Sequence, residues 1–232
     1  MRQLLKASFV LCALVPAWPA AAQVEAPAVP VEKAAFHVPV FRNEHVLLVN
    51  VQIPPGRAAG YHIHSLDQIS VLVADADMAG QLLGGEPTPP RRGQRGNVGF
   101  TAYSKKSMTH KTANVGTTPF HNVVIALLQP TGGRFTPGGR DAAAYHQVMD
   151  NERVRGWRLI LEPSQSAPAI TQSAPGLRVA LSDGELAESV PGEAERGMAL
   201  KSGQFFWQEG GVTRAVRNTG TSRLELVEFE LK

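Results

Sequence analysis

The sequence predicts an all-β protein built from two tandem β-domains. Apolar residues come in short, β-branched bursts bounded by Gly, Pro, Asn or Asp. No long stretch keeps a helical period. Two long segments recur about a hundred residues apart, so the domain is duplicated within the 232-residue chain.

The N-terminus has a different character. Arg2 and Lys6 precede an apolar run, Ala7 to Val15, and Ala20-Ala21-Ala22 offers a small-residue cleavage site before Gln23. A positive start, a short apolar core and a small-residue exit predict a cleavable signal peptide over 1–22, and so a periplasmic protein. The run is too short for a membrane anchor, which needs about 20 apolar residues, and no later run predicts a span. Cys12 is the only cysteine, so a chain cleaved after Ala22 has neither disulfides nor cysteine ligands. Removing Arg2 and Lys6 from the 23 basic residues leaves 21 against 20 acidic ones, a net charge of +1. That balance carries no electrostatic footprint for nucleic acid.

Residues 23–35, "QVEAPAVPVEKAA", are rich in Pro and Ala and predict an extended leader. The strand candidates then follow in order: "HVLLVNVQI" (45–53), "QISVLVA" (68–74), "HNVVIALL" (121–128), "WRLILE" (157–162), "LRVALS" (177–182) and "LELVEFEL" (224–231). Frequent turn residues between short strands predict a sandwich or a barrel.

The repeat is specific. "FRNEHVLLVNVQIPPG" from Phe41 matches "MDNERVRGWRLILEPS" from Met149, 108 positions later. "NVGTTPFHNVVIAL" from Asn114 matches "NTGTSRLELVEFEL" from Asn218, 104 positions later. The two domains are expected over 36–130 and 145–232, with a Gly- and Pro-rich linker at 131–144.

The chemistry concentrates in "GYHIHSLDQ", Gly60 to Gln68. Residues two apart on a strand face the same way, so His62 and His64 would project side by side, roughly 6.6 Å apart at the backbone. The plain alternative is two polar residues on a solvated sheet face.

The surroundings resemble the cupin family. Its first motif has Gly, five residues, His-x-His, three or four residues, then Glu. Here Gly56, His62 and His64 fit that spacing, and Gln68 stands where Glu is usual. Asp75 replaces the motif's closing Gly. In the second motif Gly99, His110 and Asn114 match, while Lys105 and Ser107 replace the Pro and second Gly. The second unit keeps Gly203, Gly211 and Asn218, but Arg214 aligns with His110, and Ile170 and Gln172 align with His62 and His64.

The resemblance implies two double-stranded β-helix (jelly-roll) barrels, a bicupin with one loaded barrel and one degenerate one. It implies one divalent transition metal held by His62, His64 and His110, with Gln68 as a fourth ligand or a hydrogen-bonding wall residue. Imidazole suits Fe, Mn, Ni, Cu or Zn alike. With Gln68 in place of Glu all protein ligands are neutral and about +2 remains on the ion, which favours an anionic ligand.

Other candidates have plainer readings. His37, His45 and His146 read as structural or exposed, and His121 as a strand residue that could face a cavity. Tyr61 and Tyr103, with Phe100, are either core aromatics or a cavity wall in contact with substrate. "PRRGQRG" (90–96) is a solvated hairpin tip or an anion-attracting rim. Trp207 and Arg214 either pack or shape a second pocket.

The expected function is a metal-dependent enzyme on a small, anionic organic molecule, by O2 chemistry or by Lewis-acid isomerisation or hydrolysis. The alternative is a non-catalytic binding or storage protein for a small ligand or metal. The sequence leaves open monomer or dimer, and names no catalytic residue beyond the ligands.

Overall fold

A computed structural model describes residues 26–132, 135, 140 and 143–232. The expected signal peptide and much of the 131–144 linker lie outside the described residues. Among those described, every regular element is a strand apart from one 3-10 turn at Val31–Lys33. No helix among them is long and apolar enough to cross a membrane.

The first barrel comprises β1 (Val29–Pro30), β2 (His37–Arg42), β3 (Val46–Ile53), β4 (His62–His64), β5 (Gln68–Leu72), β6 (Ala76–Leu82), β7 (Arg91–Gly93), β8 (Val98–Thr101), β9 (Met108–Asn114) and β10 (Phe120–Leu127). The second comprises β11 (Tyr145–Asp150), β12 (Val154–Leu161), β13 (Ser166–Thr171), β14 (Gly176–Ala180), β15 (Gly184–Ser189), β16 (Arg196–Leu200), β17 (Phe205–Gln208), β18 (Thr213–Asn218) and β19 (Leu224–Leu231). In the first barrel, sheet β2-β3-β10-β5-β8 is paired with sheet β1-β4-β9-β6-β7. In the second, β11-β12-β19-β14-β17 is paired with β13-β18-β15-β16. This is the two-barrel double-stranded β-helix that the sequence implies.

Alternation along the strands explains why two barrels form one molecule. On β3, Leu47, Val49, Val51 and Ile53 point into their own barrel, while Val46 and Leu48 point out of it. The outward set joins Ile69, Val71, Val123 and Ile125, and packs on Leu177, Val179, Val227 and Phe229 of the second barrel. These strands are therefore apolar on both faces and read as continuous bursts. Each fully buried Leu, Ile or Phe side chain contributes roughly 1.5–3 kcal/mol through burial.

Two asparagines show the duplication at atomic detail. Asn114 Nδ2 donates to the carbonyls of Ile53 and Thr118, both at 2.8 Å, and its Oδ1 accepts from Gly116 N at 3.0 Å. Asn218 Nδ2 donates to Leu161 O at 3.0 Å and Ser222 O at 2.8 Å, and its Oδ1 accepts from Gly220 N at 2.9 Å. Asn43 and Asn151 likewise each take two backbone N–H groups at the turns that open β3 and β12.

The barrels differ in one element that bears on the site. Val29 and Pro30, from the segment read as a leader, add β1 in parallel beside β4, pairing with His62 and Ile63. The second barrel has no matching strand among the described residues.

Candidate metal centre

β4 presents the His-x-His pair to the barrel interior, and β9 brings up the third histidine. His62 and His110 are direct register partners across the two strands. His62 is 1% and His64 4% exposed, and His110 is half-buried. The three rings lie 4.6 to 5.0 Å apart at their centroids. One nitrogen from each lies within 4.8 Å of the others.

The ring tautomers follow from their partners. Gly60 takes φ +56°, a turn that suits glycine, and its carbonyl lies 3.0 Å from His62 Nδ1. A carbonyl only accepts, so Nδ1 carries the proton and Nε2 the lone pair. His64 Nδ1 lies 2.7 Å from Gln68 Oε1, with the same consequence. His64 Nε2 is then left 3.1 Å from His110 Nε2. Two nitrogens at right angles on one ion, each about 2.1 Å from it, would be about 3.0 Å apart, so the spacing fits a shared metal.

Electrostatics favour neutral imidazoles. Burial lowers His62 to about 3 although the Gly60 hydrogen bond raises it, and the neighbouring histidines lower it further. Burial, with His64 and His37 beside it, lowers His110 to about 4. Burial lowers His64 too, against the raising effect of Gln68. A metal ligand must be deprotonated, and these groups are held so.

Gln68 faces inward from β5. Its amide oxygen is directed at His64, so in this arrangement it orients that imidazole and fixes its tautomer. Tyr103 stacks on His64 with ring centroids 5.0 Å apart. Tyr61 is buried, its hydroxyl 3.5 Å from Leu82 O and its ring under the Lys111 ammonium. It is absent from the wall of the histidine cavity.

His37, read from the sequence as structural, lines that same cavity. Its Nδ1 donates to Ala35 O at 2.9 Å and its ring lies 4.7 Å from that of His62. Burial lowers its pKa despite that hydrogen bond. The internal repeat holds the signal that finds it. His37 pairs with Val51 as Tyr145 pairs with Leu159, and both His37 and Tyr145 line their barrels' cavities.

The remaining histidines lie elsewhere. His121 Nε2 bonds Asn50 Oδ1 at 2.8 Å beneath Gly203 of the second barrel. His45 stacks on Trp207, and His146 is exposed. Asp67 is engaged by Ser104, whose N and Oγ lie 3.0 and 2.5 Å from Oδ1, and by Arg153 of the second barrel at 3.0 Å from Oδ2.

One motif assignment changes. The glycine that turns the chain into β8 is Gly96, not Gly99. Gly96 has φ +82° and donates to Leu72 O, as Gly203 at φ +85° donates to Ala180 O. Gly99 lies within β8. Thr101 and Gln208 are register equivalents, so the first barrel has three more residues than the second before it reaches His110. Tyr103 is carried on that longer loop.

In the second barrel the ligand positions are filled differently. Ile170 pairs with Arg214 as His62 pairs with His110. Gly176 stands where β5 has Gln68, and a Cβ there would lie 1.8 Å from Phe229 O. The interior is occupied instead by Arg178, Glu228 and Arg140, the last contributed by the linker. Burial pushes Glu228 up, but Arg178 and Arg140 outweigh it and bring the carboxyl down to about 2.

No protein-family model and no curated protein matches this chain. Among solved structures it is similar to AerE from Microcystis aeruginosa (13% identity, TM-score 0.57, covering 86% of this chain and 98% of that one). It is similar to an oxalate decarboxylase–formate complex from Lactobacillus farciminis (10% identity, TM-score 0.55, 82% and 77% covered). A salicylate 1,2-dioxygenase from Pseudoaminobacter salicylatoxidans gives 12% identity, a TM-score of 0.55 and coverage of 80% and 68%. The structural neighbours are two-barrel cupins, and this chain has their fold.

Proposed function

We propose that this bicupin-fold chain is a metal-dependent enzyme acting on a small anionic organic molecule in its first barrel. One observation carries the reading: three neutral imidazoles converge there, at least two with their second nitrogen fixed by an acceptor. A divalent transition ion held by His62, His64 and His110 would supply Lewis acidity or, if redox-active, the one-electron chemistry that O2 requires. Fe, Mn, Ni, Cu and Zn all suit such a donor set.

The chain's own residues set the selectivity. All donors are neutral, so the full charge of the ion remains to attract a carboxylate or enolate. Gln68 orients His64, and Tyr103 covers its face. Val51, Ile53, Phe120 and Val124 wall the cavity with apolar surface and restrict water. The structural neighbours include a dioxygenase solved with gentisate and a decarboxylase solved with formate, both small carboxylates, which supports the substrate class. The second barrel is a structural partner. Residues 1–22 support export to the periplasm by their charge, apolar run and small-residue exit.

Elemental analysis of the protein purified without chelator tests this, beside a His62→Ala/His110→Ala double variant. One equivalent of metal that vanishes in the variant is expected. Persistent absence of metal after reconstitution with each of the five ions would overturn the reading. Tight ligand binding with no turnover that His110→Ala abolishes would overturn its catalytic part.

A further inference from the structure

We infer that Arg91 is a carboxylate-binding subsite, holding the far end of a substrate whose other end reaches the three histidines. The inference rests on the metal-enzyme reading and adds the substrate class, an acid with a second oxygen function.

Register places Arg91 on the interior side. It pairs with Met78 on β6, in the same sheet where Gly80 pairs with Thr112 and Leu82 with His110. Residues two apart on a strand share a face, so Met78, Gly80 and Leu82 look the same way as the cavity residues Thr112 and His110. Arg91, opposite Met78, shares that face.

Two open cavities meet at Arg91. One, about 300 Å³, runs from Arg91 past Thr88 and Tyr103 to His110. The other, about 400 Å³, runs from Arg91 to Phe120 and Asn122, which also wall the histidine cavity. Arg91 therefore lines two spaces that adjoin the histidine cavity, whereas a further cavity at His64 and Gln68 has both Glu32 and Arg42 in its wall.

The charge balance singles it out. Neither of these cavities, nor the histidine cavity, has an Asp or Glu in its wall. Arg92 is engaged by Asp75 at 3.4 Å and Asp77 at 3.2 Å. Arg95 turns to the second barrel, bonding Glu225 and Leu181 O, both at 3.1 Å. Arg91 has no side-chain hydrogen bond or ion pair among the described residues. Its five N–H donors, in a planar fork, match a carboxylate in two parallel bonds.

The test is isothermal titration of the metal-loaded protein with formate, oxalate, malonate, succinate, salicylate and gentisate, with metal content read on the same samples. Hydroquinone, which is gentisate without its carboxyl group, is the control. For the tightest-binding acid, Arg91→Gln is expected to raise Kd at least 10-fold, with Arg91→Lys in between and metal content unchanged. Unchanged Kd in Arg91→Gln would overturn the subsite, as would an equal loss of hydroquinone binding. Failure of every acid to bind the loaded wild type would overturn it too. Absence of metal in the wild type would instead overturn the underlying reading. Arg91 is exposed on an edge strand, so the variant should keep the wild-type circular dichroism spectrum.

Discussion

Gln68 Oε1 lies 2.7 Å from Nδ1 of His64, so Gln68 holds the tautomer of that imidazole in place. Gln68→Ala should therefore weaken metal binding about 10-fold or more, the usual cost of losing such support, while leaving the fold intact. Competition against a metal-chelating dye measures this. Gln68→Glu lowers the charge left on the site from about +2 to about +1 and should weaken carboxylate binding. Stronger carboxylate binding in that variant would contradict the electrostatic argument.

The histidines should stay metal-competent in acid. With His62 lowered to about 3 and His110 to about 4, protons do not compete for the nitrogens until the pH is well below the usual imidazole value near 6.5. Dialysis of the loaded protein across pH 4–8 should show metal retained at pH 5. Half-loss near pH 6.5 would refute this. The sign for the metal-free fold follows. Between about 6.5 and 3 the unfolded chain binds more protons at these histidines than the folded one, so stability falls as pH drops through that window.

Asn114 and Asn218 should matter equally, since each satisfies three backbone groups while 1% or less exposed. Replacing either with Ala removes the side-chain donor from one buried and one part-buried carbonyl and the acceptor from one backbone N–H, and should cost about 2–4 kcal/mol in urea unfolding. A loss below about 0.5 kcal/mol at either site would contradict the role.

Glu228→Gln tests the second barrel. It leaves Arg178 and Arg140 buried without their shared carboxylate and should destabilise the protein by about 3–5 kcal/mol. Metal content should be unchanged, because the histidines belong to the other barrel. Loss of metal without loss of stability would contradict that division.

The sequence by itself determined the strands that are apolar on both faces, the duplication, and the three histidines. Each is a local or periodic signal: β3, β5, β10, β12, β14 and β19 are buried on one side by their own barrel and on the other by its neighbour. Strands such as β6 "ADMAGQL" and β9 "MTHKTAN" are not legible, because one of their faces lines open cavities instead of an apolar core and the apolar alternation is broken there. Only the tertiary structure decided that His37 joins the cavity, that Gly96 makes the turn, that Gln68 addresses His64, and that Arg91 has no acidic partner among the described residues. Each of these depends on which strands become neighbours, and on what a side chain meets across a barrel. Sequence separation does not encode either.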